Sequence, residues 1–183
     1  MKKKSVVLIL TLALVAVCIV GGTLAWLTAA APAVTNTFTT SDVDITLEES
    51  EDLDLKMIPG YIITKDPKVT VVAGSEKCYL FVKLEKSTNF DNFMTYTVDT
   101  GWTALDGAEN IYYRVVDQSA SDQPFYVISG NTVTVKNTVT KADMNGLTEN
   151  TYPTLTVTAY ASQFAKNNSE NFTAAEAWAN VQP

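Results

Sequence analysis

Alternation of apolar and polar residues with a period of two is the feature that most limits how this chain folds. In residues 78–85, one face carries Cys78, Leu80, Val82 and Leu84, and the other carries Tyr79 and Phe81. Similar runs cover residues 43–47, 53–57, 68–72, 94–98, 111–116, 125–128, 133–135 and 155–160. This period, with its enrichment in Val, Thr and Tyr, predicts half-buried strands separated by Gly-containing turns.

Eight or nine short strands without intervening long helices predict an all-β fold. We expect an antiparallel β-sandwich or jelly roll over residues 41–183. Thr173 followed by Glu176 forms a capping box, which predicts a short C-terminal helix with Trp178 as its anchor. A further helical turn is expected after Thr140.

The first 25 residues have the three parts of a signal peptide, which is expected to be helical. Three lysines are followed by an apolar run over residues 6–20 and then by small residues. We expect cleavage between Ala25 and Trp26. The apolar run is shorter than the roughly 20 residues that span a bilayer, but retention of the segment as a membrane anchor remains the alternative.

Cleavage would leave 158 residues with ten basic and 20 acidic side chains, a formal charge of −10. This balance excludes nucleic acid as a partner, because phosphates require a basic surface. Contact with a membrane is expected only through the signal segment. Cys78 would be the single remaining cysteine, which excludes a disulfide framework and indicates a small buried apolar residue.

The sequence contains no histidine, which excludes HExxH zinc proteases and any Ser–His or Cys–His pair. Ser75 and Lys77 lie in a turn, and the acidic residues of 48–54 are best explained as a solvated loop. We therefore expect no enzyme activity, no catalytic residues, no metal site and no cofactor. Weak calcium binding by the acidic loop or by residues 143–146 is the alternative.

Aromatic residues in the predicted strands leave a second kind of site open. Trp102, Tyr112 and Tyr113 could line a glycan-binding face, although aromatic residues in strands more often pack in the core. Tyr112 and Tyr113 are adjacent, so they are expected on opposite faces of one strand.

Several short motifs occur in a characteristic order along the chain. They are Gly-Thr-Leu-Ala-Trp-Leu-Thr at residues 22–28, Asn-Thr-Phe at 36–38, Val-Asp-Ile-Thr-Leu-Glu at 43–48 and Thr-Val-Thr-Ala-Tyr-Ala-Ser-Gln at 156–163. Together they resemble the SipW-dependent exported proteins of the TasA/camelysin family, and the short chain is most similar to small clostridial members. Trp26-Leu27 stands where that family often has Tyr-Phe or Ala-Phe.

The resemblance implies a bacterial jelly-roll protein that a dedicated SipW-type signal peptidase releases for assembly outside the cell. In such fibres the N-terminal arm pairs with the sheet of the next subunit. The corresponding arm here is residues 26–40, with Trp26, Leu27, Val34 and Phe38 as its apolar contacts.

We therefore expect a secreted structural subunit of a cell-surface or biofilm-matrix fibre. It would associate with itself or with related matrix subunits through N-terminal strand exchange. The alternative is a monomeric, surface-associated binding module for glycan or protein.

Overall fold

Two nine-residue strands, β4 (Cys78–Lys86) and β10 (Leu155–Gln163), pair antiparallel along their whole length and form the centre of the fold. The computed structural model describes residues 42–50 and 56–182. All of them belong to one compact unit that spans residues 40–183.

The strands form three antiparallel sheets, as the alternation predicts. The first has the order β10-β4-β7-β6, where β6 is Thr103–Ala104 and β7 is Ile111–Val116. The second has the order β1-β3-β8, with β1 at Ile45–Glu48, β3 at Lys68–Val71 and β8 at Gln123–Tyr126. The third has the order β2-β9-β5, with β2 at Ile62–Thr64, β5 at Met94–Thr95 and β9 at Thr132–Val135. The prediction of a mostly antiparallel β fold is confirmed.

Three short α-helices lie between or after the strands: α1 (Phe90–Phe93), α2 (Lys141–Asn145) and α3 (Ala174–Ala179). Single 3₁₀ turns occur at Ser129–Asn131 and Glu149–Thr151. Thr173 and Glu176 form the predicted capping box of α3, and Thr140 is the N-cap of α2 as predicted. No helix within the described residues is long and apolar enough to cross a membrane.

Strand β4 is buried on both faces, because each face contributes to a different apolar cluster. The first cluster joins β4 to the sheet that contains β3, and its buried members are Val69, Val71, Cys78, Leu80, Val82, Leu84, Trp102, Val116 and Val127. The second lies under α3, and its buried members are Tyr79, Phe81, Leu105, Ile111 and Ala177. The predicted two-faced pattern of residues 78–85 is therefore confirmed.

The second cluster holds the C-terminal helix in place through aromatic contacts. The ring centroid of Trp178 lies 5.4 Å from that of Phe81 and 5.2 Å from that of Tyr160. The helix is only six residues long, and isolated helices of this length are unstable in water. Packing by Trp178 and capping by Thr173 therefore account for its formation.

Cys78 is completely buried in the first cluster, as predicted. Burial raises the pKa of its thiol to about 11, because the charged thiolate is poorly solvated there.

The structure differs from the predicted strands in several places. Strand β8 begins two residues before the predicted run at 125–128, and Val98 forms only an isolated bridge to Ile128 rather than extending β5. Strands β2 and β6 were not predicted, because three and two residues are too short to show alternation. Residues 53–55 of the predicted strand 53–57 lie outside the described residues, and residues 56 and 57 are not in a strand.

Candidate functional site

The outer edge of β10 carries no paired strand within the described residues. The Ser87 N–H donates to the Thr154 carbonyl at 3.0 Å, and the Phe164 N–H donates to the Lys77 carbonyl at 3.1 Å. In the antiparallel register, the even-numbered residues of β10 therefore bond to β4. The backbone groups of the odd-numbered residues point outward instead, while their side chains pack on the first cluster; these residues include Leu155, Val157, Ala159 and Ala161.

Strand β1 has a second edge without a partner among residues 42–50 and 56–182, and β1 lies beside β10 without a hydrogen-bonded ladder between them. The Val72 N–H donates to the Asp44 carbonyl at 2.9 Å, so the even-numbered residues of β1 bond to β3. Ile45 and Leu47 consequently direct their backbone groups away from β3. The Leu47 side chain is 40% exposed.

A trough of about 350 Å³ lies between these two edges. It is lined by Leu47, Glu48, Glu49, Lys65, Pro67, Leu155, Thr156 and Val157. We call this surface the edge trough. A second, more apolar hollow adjoins the edge trough, and its walls include Ile63, Phe90 and Met94. A third hollow adjoins the second one, and its walls include Met57, Ile58 and Tyr152. The combined surface is long, open and largely apolar, which suits an extended peptide segment.

Charged groups along the edge trough are already paired. The Lys65 ammonium lies 2.7 Å from a Glu49 carboxylate oxygen, and Lys68 lies 3.1 Å from Glu48. Hydrogen bonding to Glu48 raises the pKa of Lys68. Two hydrogen bonds from Ser50 lower the pKa of Asp66. These pairs leave little free charge to repel an incoming apolar segment.

The edge of β8 is closed to a further strand. Its outward positions are Pro124 and Tyr126, since the Val127 N–H bonds to the Pro67 carbonyl of the neighbouring strand. Proline has no N–H to donate, and the Tyr126 carbonyl accepts the indole N–H of Trp102 at 2.8 Å. Natural proteins protect sheet edges in this way, and the contrast makes the open edges of β1 and β10 notable.

The remaining edge strands of the described residues are short. β5 and β6 have two residues each, and β2 has three. Tyr61 and Ile62 are 59% and 64% exposed. By length, β10 offers the most complete template for strand addition among the described edge strands.

The proposed cleavage site and arm lie outside the described residues. This applies to Ala25 and Trp26, and to the arm contacts Leu27, Val34 and Phe38.

The three aromatic residues considered for a glycan site do not share one surface. Trp102 is buried, and Tyr112 packs against the first cluster, so both belong to the same side of β7. Tyr113 packs against the second cluster, on the opposite side of the strand. Trp102 and Tyr112 also line one groove, whereas Tyr113 does not.

Three of the carboxylates considered for calcium have other partners. Glu48 and Glu49 pair with lysines, and the Asp143 carboxylate accepts hydrogen bonds from the Thr140 backbone and hydroxyl. Across residues 42–50 and 56–182, no group of three or more acidic or cysteine side chains is arranged to hold a metal ion.

Ser75 and Lys77 have structural contacts rather than contacts with each other. The Ser75 hydroxyl accepts the Asp44 N–H at 3.1 Å, and Lys77 lies 2.8 Å from Asp117. These contacts hold the turn between β3 and β4 beside β1.

The open edges are the feature that sequence reasoning missed. Alternation identifies strand 155–160 and its faces, but it does not tell which strands lie next to each other. Proline within a strand indicates an edge strand, and Pro124 in Gln123–Tyr126 is such a signal. It identifies the closed edge of β8, however, and not the open edges of β1 and β10.

No protein-family model matches this chain, and no curated protein or solved structure resembles it significantly.

Proposed function

We propose that this chain is a secreted structural subunit of a bacterial cell-surface or biofilm-matrix fibre. In this proposal, an extended N-terminal segment of one copy pairs with the free edge of β10 in the next copy. The observation that carries the proposal is the pair of neighbouring edges on β1 and β10 that have no strand partner among the described residues, with a trough of mixed apolar and charged lining between them.

The proposed complete fold is a jelly-roll sandwich. The first apolar cluster already joins the sheet of β4 to the sheet of β3. A strand added at the edge trough would pair with outward backbone groups of β10 or of β1. It would cover Leu47, Leu155 and Val157, whose burial is favourable at about 25 cal/mol per Å² of apolar surface.

The proposed donor is the arm of residues 26–40, which the chain places just before β1. Fully extended, 15 residues reach roughly 50 Å, whereas the nine residues of β10 span about 30 Å. The arm is therefore long enough to cover the whole acceptor edge. Val34 and Phe38 are four residues apart, so both side chains would enter the trough from one face of the donor strand.

Export is part of the same proposal. Cleavage after Ala25 by a SipW-type signal peptidase would release a free leading end at Trp26. The mass and first residue of the protein recovered from culture medium test this step directly. An intact leader on the recovered protein would instead support a membrane-anchored surface protein.

Assembly is tested by a proline at an outward position of β10. The Ala159 N–H points away from β4, so Ala159→Pro removes a donor from the free edge and leaves the β4 ladder intact. We expect the protein recovered after export of the full chain to form large species on size-exclusion chromatography and fibres in electron micrographs. Ala159→Pro and a deletion of residues 26–40 should both remain monomeric.

Ala159→Gly is the matched control, because it alters the same side chain and keeps the N–H. It should assemble like the parent protein, although glycine in a strand costs about 0.5–1 kcal/mol of stability. Assembly of Ala159→Pro would show that this edge is not the acceptor. A parent protein that stays monomeric at all concentrations would overturn the fibre proposal and favour the monomeric binding module.

A further inference from the structure

A polar groove of about 490 Å³ lies on another part of the surface, next to β7. Its lining combines aromatic and hydrogen-bonding side chains: Lys86, Asp91, Thr95, Tyr96, Thr97, Val98, Asp99, Thr100, Trp102, Asn110 and Tyr112. We call it the tyrosine groove. Its volume falls within the range of about 300–1,000 Å³ that is usual for small-molecule sites.

Hydrogen-bonding groups in the tyrosine groove have unused capacity. Within the described residues, the hydroxyls of Tyr96 and Tyr112 and the side-chain amide of Asn110 have no hydrogen-bond partner. Burial, followed by the nearby Tyr112, raises the pKa of Tyr96 to about 12, so its hydroxyl stays a donor at physiological pH. The two tyrosines are partly buried, where polar groups are normally satisfied by water or by a ligand, and Asn110 lies exposed at the surface beside them.

The wall of the groove is held rigidly by the loop that ends at Trp102. The Asp99 N–H donates to the Val127 carbonyl at 2.9 Å, and the Trp102 N–H donates to the Asp99 carbonyl at 3.1 Å. One Asp99 carboxylate oxygen accepts the Gly101 N–H at 3.0 Å. A preformed wall reduces the ordering cost of binding a ligand.

The two tyrosines of the groove are also fixed in place. The Tyr96 ring packs edge-on against Phe90, with centroids 5.8 Å apart. Tyr112 belongs to β7 and packs against the first apolar cluster. Both rings therefore present their hydroxyls from rigid supports.

Charge limits the chemistry of the ligand. Lys86 lies 2.6 Å from Asp91, and Asp99 interacts electrostatically with Arg114, so the charged groups in and beside the groove oppose one another. An anion would find no uncompensated cation there, and an apolar ligand would leave the hydroxyls and the amide unpaired. Neutral molecules that carry many hydroxyls satisfy both conditions. The C–H faces of such molecules also pack well on aromatic rings.

We propose that the tyrosine groove binds a neutral oligosaccharide, with Tyr96, Tyr112, Asn110 and Asp99 supplying the hydrogen bonds. This site is separate from the edge trough. A fibre subunit with such a site would attach to the glycans that surround a bacterial cell.

Titration calorimetry with chitotetraose, cellotetraose and maltotetraose tests the proposal. We expect the protein recovered after expression of the full chain to bind at least one of them. Tyr112→Phe and Asn110→Gly should each weaken binding about tenfold, equivalent to about 1.4 kcal/mol. Asn110 has φ +61°, which glycine adopts freely, so that variant removes the amide without straining the turn.

Tyr113→Phe is the matched control, because it removes a hydroxyl from the opposite side of the same strand. It should leave affinity unchanged. Sugar binding by Ala159→Pro distinguishes this proposal from the assembly proposal. Ala159 does not line the tyrosine groove, so this variant should bind sugar whether or not it polymerises. Absence of binding to all three sugars, or equal affinity of Tyr112→Phe, Asn110→Gly and the parent, would overturn the proposal.

Discussion

Arg114 is the single arginine of the sequence, and its surroundings are unusual for a cation. Its guanidinium carbon lies 3.8 Å from the Phe125 ring centroid and 5.4 Å from that of Trp102. Its Nε is buried without a hydrogen-bond partner in the described part of the chain, and burial lowers its pKa. The Asp99 carboxylate attracts the guanidinium and opposes the effect of burial on its pKa, while the two rings supply its direct contacts.

Gly101 makes this arrangement possible. A Cβ at that position would lie 3.0 Å from one terminal guanidinium nitrogen and 3.2 Å from the other. The guanidinium thus lies directly against the backbone of the loop that leads to Trp102.

We expect Arg114→Lys to lower the free energy of unfolding by about 1 kcal/mol, because a lysine lacks the planar group that stacks on Phe125. The melting temperature should fall by about 2–4 °C, measured by circular dichroism. Lys141→Arg on the exposed helix α2 is a control for the exchange of cation type. Equal stability of Arg114→Lys and the parent would show that the stacking contributes nothing.

At the scale of elements, α3 depends on an ionised capping residue. The Thr173 N–H and hydroxyl donate to the Glu176 carboxylate, both at 2.9 Å, and Lys166 lies 3.3 Å away. The backbone hydrogen bond from Thr173 is the largest cause of a lowered Glu176 pKa, followed by its side-chain hydrogen bond. Since the pKa is lower in the folded state, this carboxylate stabilises the fold above its unfolded pKa of about 4.3. The contribution is lost as the pH falls through the folded pKa.

We therefore expect Glu176→Gln to be less stable than the parent at pH 7, with a smaller difference at pH 3. Glutamine retains a hydrogen-bond acceptor for Thr173, so only the charge is tested. Chemical denaturation at the two pH values measures the difference. A stability difference that persists unchanged at pH 3 would contradict the role of ionisation.

The elements that the sequence predicts best are those with a long local signal. β4, β7 and β10 show alternation over six or more residues, and the capping boxes of α2 and α3 are purely local. The two-residue and three-residue strands form because neighbouring strands pair with them, which no local pattern records.

The candidate sites were harder to predict than the strands. Alternation places Tyr112 and Tyr113 on opposite faces, but the partner of Tyr112 in the tyrosine groove is Tyr96, which comes from a distant segment. The edge trough depends on which strands lack neighbours, and that is a property of sheet order. Alternation with a period of two determines which residues share a face of a strand. It does not determine which strands lie beside it in the sheet.

At the scale of the whole molecule, acidic charge opposes association between copies. The sequence carries 20 acidic and 13 basic residues, and loss of the three leader lysines increases the imbalance. Repulsion between like-charged copies is screened over about 10 Å at 0.1 M salt and over about 30 Å at 0.01 M. Contact at the edge trough thus requires copies to overcome a long-range barrier at low ionic strength.

We expect fibre assembly to be faster in 0.3 M than in 0.01 M sodium chloride, by roughly tenfold or more, because steering effects of charge on association rates reach this size. Light scattering after dilution of monomer into the two buffers measures the rates. The Ala159→Pro variant should show no scattering increase in either buffer. Slower assembly at high salt would indicate that attraction between opposite charges, rather than backbone pairing and apolar burial, drives the contact.

Chemical modification of the Cys78 thiol can be used to measure transient opening of the folded protein. Its sulfur is sealed in the layer between β4 and β3 and is hard to ionise, so a thiol reagent in solution has no access to it in the closed state. Modification therefore requires the central strands to separate, and the modification rate reports how often this opening occurs. The same burial leaves the outer surface of residues 42–50 and 56–182 without a cysteine, so a dye attached through a newly introduced thiol would mark one chosen place on that surface.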